Sequence, residues 1–223
     1  PASGLPALLL GYPEYVGTGS RPTIYNAATL LVPGQSPVNC RKVCLPNYQV
    51  FDEKRYFTPG EGISVTDFMG VRFGLAICED VWEPGPAAGA KQRGAEALLV
   101  LNASPYEQRK QRAREAVLRA RVEETGLAVA YVNLVGGQDE LVFEGRSCAI
   151  DADGQVRLRA AAFEEAVVQV CAARDAAGRV QFEPVAADAV APELGDEESV
   201  YRALVLGVRD YVNKHGFPGV VMG

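Results

Sequence analysis

Short apolar runs rich in β-formers alternate along this chain with turn residues and longer helical patterns, and that alternation restricts it to an α/β architecture. Residues 5–10 and 25–32 read as strands, the second ending at the Pro33-Gly34 turn. In the third run, 71–78, Phe73, Leu75 and Ile77 alternate with Gly74, Ala76 and Cys78, so small residues line one face. Residues 97–102 form a fourth, stopped by Ser104-Pro105. A helix is expected over 106–125, with Ala113, Ala116, Val117 and Ala120 as its buried stripe and Gly126 closing it. Most of its six basic residues are expected to face solvent. Strand patterns return at 128–135, at 143–150 and 155–160 around the hairpin signal 151–154, and at 166–172. This order predicts a mixed sheet.

Composition narrows function by exclusion. At 48% apolar and 22% charged, the 223 residues are those of an ordinary soluble globular protein. No apolar run approaches the roughly 18 residues that cross a bilayer, so no membrane partner is expected. The net charge of -6 argues against a general nucleic-acid binder. A single histidine, His215, excludes metal sites built on several histidines and any catalysis that needs a histidine network. Cys40, Cys44, Cys78, Cys148 and Cys171 include no CxxC pair. Neither a zinc ribbon nor a disulfide framework is indicated, and a cytoplasmic location is the default. Cys148 and Cys171 read as core, and no metal site is expected around Cys40 and Cys44. The chain opens on Pro1-Ala2-Ser3-Gly4 without a methionine or signal peptide.

Residues 180–198 hold six acidic residues and no basic ones, which leaves 22 acidic against 22 basic elsewhere. This segment reads as an exposed acidic linker. After it a helix is expected over 199–215, with Val200, Leu204, Val208, Tyr211 and Val212 in helical period. Gly216 and Pro218 stop it, and 219–223 begin a strand.

Cys78 is the residue with the most chemistry to offer. It ends an apolar strand and is followed at once by Glu79-Asp80-Val81-Trp82, so the chain must turn sharply into polar sequence. A thiol at such a turn is presented to a cleft, and the amides after it can form an oxyanion hole. A small buried core cysteine is the competing reading. Activation would have to come from a carboxylate and a lysine, since His215 lies far along the chain. On composition alone, Arg41-Lys42 and 52–55 are solvated charge clusters. Gly17-Thr18-Gly19 and Gly136-Gly137 are too few glycines for phosphate loops and read as turns.

The segments RKVCLPNYQVFDEKRYF (41–57) and GLAICEDVW (74–82) resemble the nitrilase superfamily. With NASPY (102–106), YVNLVGGQDE (131–140) and YRALVLGVRDY (201–211), they resemble in particular the glutamine-dependent NAD+ synthetases. The resemblance implies a nitrilase-like four-layer αββα sandwich, N-terminally incomplete. A Rossmann-like ATP-pyrophosphatase domain would begin after it. The implied division is a glutaminase domain at 1–179, a linker at 180–198 and the start of a synthetase domain at 199–223.

By that resemblance the reaction is glutamine hydrolysis through a cysteine thioester, supplying ammonia to amidate deamido-NAD at the expense of ATP. Cys78 would be the nucleophile and Lys42 would stabilise the oxyanion and the thiolate, lowering the thiol pKa. Glu53 would order the site beside the lysine. Tyr48, Glu79, Ser104 and Lys110 would bind substrate; Lys110 is chosen among Arg109, Lys110 and Arg112 as the cation for the substrate carboxylate. The triad's glutamate is expected upstream of residue 1, in a Pro-Glu segment. Pro13-Glu14 looks like that motif but is read as a loop, so the chain by itself is expected to be inactive. ATP and Mg2+ are implied only for the complete enzyme, whose pyrophosphate loop would follow FPGVVMG (217–223). No cofactor is expected within the chain, and a homo-oligomer is. Cys44 and Gln49 stand where the family often has histidine and glycine. Two other readings remain: a free-standing amidase or carbamoylase of the superfamily, and a catalytically incomplete assembly module.

Overall fold

Side-chain alternation along the apolar runs decides the layers. The computed structural model describes residues 6–18 and 22–221. In chain order it forms β1 (Leu8–Val16), β2 (Thr23–Leu31), β3 (Val38–Arg41), β4 (Ser64–Phe68), β5 (Val71–Ile77), α1 (Pro84–Gln92) and β6 (Ala97–Asn102). Next come α2 (Lys110–Thr125), β7 (Ala128–Asn133), β8 (Val135–Gln138), β9 (Leu141–Glu144), β10 (Cys148–Ile150) and β11 (Val156–Arg159). β12 (Val170–Arg174), β13 (Val180–Pro184) and α3 (Asp196–His215) follow. The main sheet is mixed and six-stranded, in the order β11-β10-β7-β6-β5-β4, with β5, β6 and β7 parallel at its centre. β1, β2 and β3 make an antiparallel three-stranded sheet, while β12–β13 and β8–β9 are hairpins.

Successive residues of the central strands go to opposite cores. Ala76, Leu98, Val100, Val129, Tyr131, Cys148 and Ile150 meet Ala87 and Ala90 of α1 and Leu118 and Val122 of α2. Their neighbours Phe73, Leu75, Ala97, Ala128 and Ala149 meet Leu30 and Cys40 of the small sheet and Val180 and Phe182 of β13. Both faces of the sheet are therefore covered, as strands apolar on both faces require. Among the described residues the layers number three (helix, sheet, sheet) rather than the four of the expected sandwich.

Several expectations are corrected. Pro13 and Glu14 lie within β1, paired with Asn26 and Tyr25, not in a loop. β1 is an edge strand, where proline's missing N–H leaves no gap in a ladder. α1 was hidden by its glycines and prolines; Pro84 opens it, where a missing N–H costs nothing. The 128–135 run is cut in two at Leu134, and the 143–150 run at 145–147. Residues 219–221 form no strand, and 222–223 lie outside the described residues, as does Gly19. The proposed linker begins as β13, with Val180 and Phe182 in the core. Further on, Arg146 donates to Pro192 O and Arg159 to Ala191 O, each at 2.9 Å, so 189–192 is fastened to the body.

α2 buries a different face from the alanine stripe. Ala113 and Ala116 are exposed, while Arg114, Glu115, Leu118, Arg121, Val122 and Thr125 are buried. Leu118 and Val122 hide far more apolar area than alanines would, about 1.5–3 kcal/mol each. The charges on that face are carried inward as pairs. All six basic residues of 106–125 are ion-paired: Arg109–Asp196, Lys110–Glu107, Arg112–Glu193, Arg114–Glu144, Arg119–Glu115 and Arg121–Glu124. Arg109, Arg112 and Arg119 do face solvent as expected, whereas Lys110, Arg114 and Arg121 are turned inward.

Gly136-Gly137 is neither turn nor phosphate loop: it is strand β8, with α3 laid over it. A Cβ on Gly137 would sit 3.1 Å from Gly207 Cα and 3.2 Å from Asp210 Cβ. The missing side chains let helix and strand touch. Asp210 accepts the Gly137 amide at 2.8 Å, and Lys214 Nζ donates to the Gly137 carbonyl at 2.5 Å.

Two stability tests follow from this packing. Glu115 accepts from Arg159 at 2.6 and 3.0 Å, from Gln111 at 2.8 Å and from Arg119 at 3.1 Å. Glu115→Ala should cost about 3–5 kcal/mol in urea unfolding, because a buried Arg159 is left uncompensated. Burial pushes the Glu115 carboxyl up, but Arg159 and Gln111 outweigh it and hold it below the ordinary value. Its stabilisation is thus present above the ordinary carboxylate pKa and lost as pH falls through the lowered one. The gap between wild type and variant should close below about pH 4. Gly137→Ala should loosen α3 by about 1–3 kcal/mol, read as faster hydrogen exchange in α3 with the main sheet unaffected.

Candidate active site

The carboxyl ends of parallel strands are where an α/β sheet opens, and three functional segments emerge there. Ile77 pairs in register with Leu101, and Asn102 with Asn133. Cys78 follows β5 directly, and Ser104 lies two residues beyond β6. Cys78 opens a short 3-10 turn, Cys78–Val81, with φ of +46°. A residue bearing a Cβ seldom adopts that left-handed backbone, which costs about 1–2 kcal/mol. The thiol packs with Ala28 and Ile77, yet it is one wall of a cleft of about 420 Å³.

The strained turn is held by Asp80, which the sequence reading passed over. Its carboxylate, 0% exposed, accepts the amides of Ile77 at 3.0 Å, Val43 at 2.9 Å and Cys44 at 2.8 Å. The first tie closes the nucleophile turn. The other two fasten the segment after β3 onto it. Burial pushes the Asp80 carboxyl above its ordinary value, opposed by the three amides and by Lys42.

That segment carries Lys42, which is 1% exposed and bonded through Nζ to Glu53 Oε1 at 2.6 Å. Glu53 stands in the turn Glu53–Arg55, and its second oxygen accepts from Asn26 Nδ2 at 3.4 Å. Neither residue is a solvated surface charge. Neither lines the cleft, and both act on Cys78 through their charges. Burial pushes the Cys78 thiol up to about 11; Lys42 pulls it down, while Glu79, Glu53 and Asp80 push it up. Lys42 acts in the expected sense, but burial wins.

The cleft gathers the other named residues. Tyr48, Glu79, Ser104 and Lys110 all line it with Cys78, alongside Phe51 and Trp82, which sequence reasoning did not single out as site residues. Tyr48 donates to Glu79 Oε1 at 2.8 Å, and burial together with that bond pushes its hydroxyl up to about 12. Of the three candidate cations, Arg109 and Arg112 are spent on Asp196 and Glu193. Arg109 and Lys110 both line the cleft, and the acid paired with Lys110 is the exposed Glu107 at 3.2 Å. Gln49, where the family often has glycine, has φ of +51°, which supplies the physical reason for glycine there. Glu14 is bound in a fork by Arg41 at 2.6 and 3.0 Å, and the guanidinium holds its carboxyl below the ordinary range. His215 caps the far end of α3, stacked on Phe217. Among the described residues no three His, Cys, Asp or Glu side chains are grouped to hold a metal ion, and no helix is long and apolar enough to cross a membrane.

The chain is similar to the glutamine-dependent NAD(+) synthetase of Xanthomonas campestris, at 44% identity over 220 residues, which is 96% of this chain and 38% of that protein. It superposes on the glutamine-dependent NAD+ synthetase of Acinetobacter baumannii, solved with ADP, with a TM-score of 0.84 and 35% identity. That match covers 96% of this chain and 39% of the other. This chain thus spans about two fifths of the length of these relatives. An amidase from Nesterenkonia sp. AN1 matches 70% of this chain and 59% of its own, with a TM-score of 0.59 and 27% identity. Its structure carries acrylamide added to the active-site cysteine. The family model for carbon-nitrogen hydrolases matches residues 5–181. With most of its length so matched, the chain belongs to the carbon-nitrogen hydrolase family.

Proposed function

We propose that this chain is the glutamine-hydrolysing part of a glutamine-dependent NAD+ synthetase. The observation that carries the reading is Cys78: it stands at φ +46° in the wall of a cleft, under the charges of the buried Lys42 and its partner Glu53. An amide fits this arrangement. The thiolate sulfur attacks the carboxamide carbon of glutamine, and the carbonyl electrons move onto oxygen. Lys42 and the amides following Cys78 stabilise that oxyanion. Its collapse expels ammonia once the nitrogen is protonated, leaving a γ-glutamyl thioester, which water hydrolyses to glutamate and the free thiol.

The remaining wall positions substrate. Glu79, oriented by Tyr48, faces the α-ammonium; Ser104 and Lys110 face the α-carboxylate. Glu53 holds Lys42 in place. The active-site cysteine of the similar amidase supports Cys78 as nucleophile. With its carboxylate committed to Arg41, Glu14 is a poor general base. Burial keeps Cys78 mostly in its neutral thiol form at neutral pH, so attack needs a base to take its proton.

Ammonia released here would amidate deamido-NAD in an ATP- and Mg2+-dependent step. No step described for this chain runs through those groups. Residues 199–223 are read as the beginning of the Rossmann-like synthetase domain, in a cytoplasmic homo-oligomer. A free-standing amidase is the weaker reading, since the amidase likeness covers 70% of the chain against 96% for the synthetases.

In the complete gene product, Cys78→Ala should abolish glutamine-dependent NAD synthesis and leave ammonia-dependent synthesis largely intact; loss of both would sink a dedicated glutaminase role. Peptide-mapped alkylation of the 223-residue chain offers a second check. Since the neutral thiol persists below the raised pKa, iodoacetamide should modify Cys78 slowly at pH 7 and faster through pH 9–11. Lys42→Gln removes the one charge that lowers that pKa, and should slow the reaction further at each pH below 11.

A further inference from the structure

Arg114 is buried within reach of the cleft and has no part in the reaction described above. It is 1% exposed, on the inner face of α2. A guanidinium has five N–H donors and no acceptor. Here Nε donates to Ser104 Oγ at 3.3 Å, Nη2 to the Ser104 carbonyl at 3.5 Å and Nη1 to Gln111 Oε1 at 3.2 Å. Its charge is balanced by Glu144, itself 4% exposed and 2.9 Å away. From the other side Asn133 Oδ1 accepts the Ser104 amide at 2.9 Å, and Asn133 Nδ2 donates to the Ser104 carbonyl at 3.4 Å.

The amide, carbonyl and hydroxyl oxygen of Ser104 are all engaged by buried groups. An isolated serine hydroxyl rotates to donate or accept as its partner demands. This one already receives a proton from a group that can only donate, which leaves its own proton to another acceptor, the nearby buried Tyr131 hydroxyl or, once substrate is bound, a substrate oxygen in the cleft. Lys110, the neighbouring cation on that wall, is likewise a donor only.

We propose that Arg114 is a positioning residue: through Ser104 it makes this wall of the cleft a donor surface that selects amides bearing an α-carboxylate. The inference rests on the glutaminase reading and names what sets its specificity. A side chain with an acceptor at 114 would let the serine turn its proton inward, away from substrate.

The test uses the complete gene product, with glutamine and with 4-aminobutanamide, which keeps the amide and amine but lacks the α-carboxylate. Arg114→Gln should raise KM for glutamine about tenfold, the worth of one well-placed hydrogen bond, with kcat within about threefold. Preference for glutamine over the analogue should fall by a similar factor. Arg114→Lys keeps a buried donor cation and should restore part of that preference. In a Ser104→Ala background, Arg114→Gln should add nothing, because the two act as one unit. Unchanged preference, or effects that multiply across the two sites, would overturn the proposal. Arg114→Gln leaves Glu144 unpaired, so should it misfold by circular dichroism, Arg114→Met with Glu144→Met removes both charges. That double variant, folded and keeping wild-type preference, would equally overturn it. Cys78→Ala separates the two ideas. If glutamine-dependent synthesis survives Cys78→Ala, the glutaminase reading falls. If it is abolished while the Arg114 variants keep full preference, only the role of Arg114 falls.

Discussion

One carboxylate holds the site together. Asp80 takes three amide protons, from Ile77 on the nucleophile strand and from Val43 and Cys44 after β3. Hydrogen bonds to a charged acceptor contribute about 1.5–3 kcal/mol each, enough to offset a left-handed Cys78. These ties also fix the distance between two segments that lie in different sheets. β3 belongs to the small sheet and β5 to the large one, so nothing in either ladder sets Lys42 relative to Cys78. Asp80 does, and with it the electrostatics of the thiol.

Those electrostatics are a contest between burial and charge. A cation near a thiol favours thiolate, but a site dry enough to strengthen that attraction also disfavours the ion itself. At Cys78 burial prevails, and the three nearby carboxylates oppose Lys42. A nucleophile so placed is quiet until something removes its proton. The lysine is itself bound to Glu53 at 2.6 Å, so its charge is shared between that carboxylate and the thiol.

What the residue pattern disclosed and what it hid follow a physical divide. The parallel strands β5, β6 and β7 were legible because period-2 alternation of large and small residues is a local signal, and 97–102 matched β6 residue for residue. Cys78 could be singled out because a strand ending in a thiol followed by acidic residues has few bland explanations. Lys42 and Glu53 could not be told from surface charges by composition, since their burial comes from β3 and a distant turn; only the resemblance placed them. The buried face of α2 was misread for the same reason. A helix carrying six cations looks solvated, and the acids that pair with it lie up to 87 residues away. β3, β4 and α1 were missed because four- and five-residue strands and a Pro-Gly-rich helix sit below what periodicity resolves.

The acidic stretch shows how such long-range pairing changes the meaning of a charge count. Read alone, residues 180–198 are six negative charges with no local counter-ion, which is how a solvated connector reads. In the fold, Glu193 and Asp196 neutralise Arg112 and Arg109, and the backbone at 191–192 satisfies Arg159 and Arg146. The two exposed pairs contribute little singly, being solvated and screened. Their effect is on geometry. Arg112 is held off the cleft on Glu193, and Arg109, though it lines the cleft beside Lys110, already carries Asp196 as its counter-ion, so Lys110 keeps the charge less committed to this segment. The segment most unlike the rest of the chain thereby helps decide which charge a substrate meets, and it does so from outside the cleft.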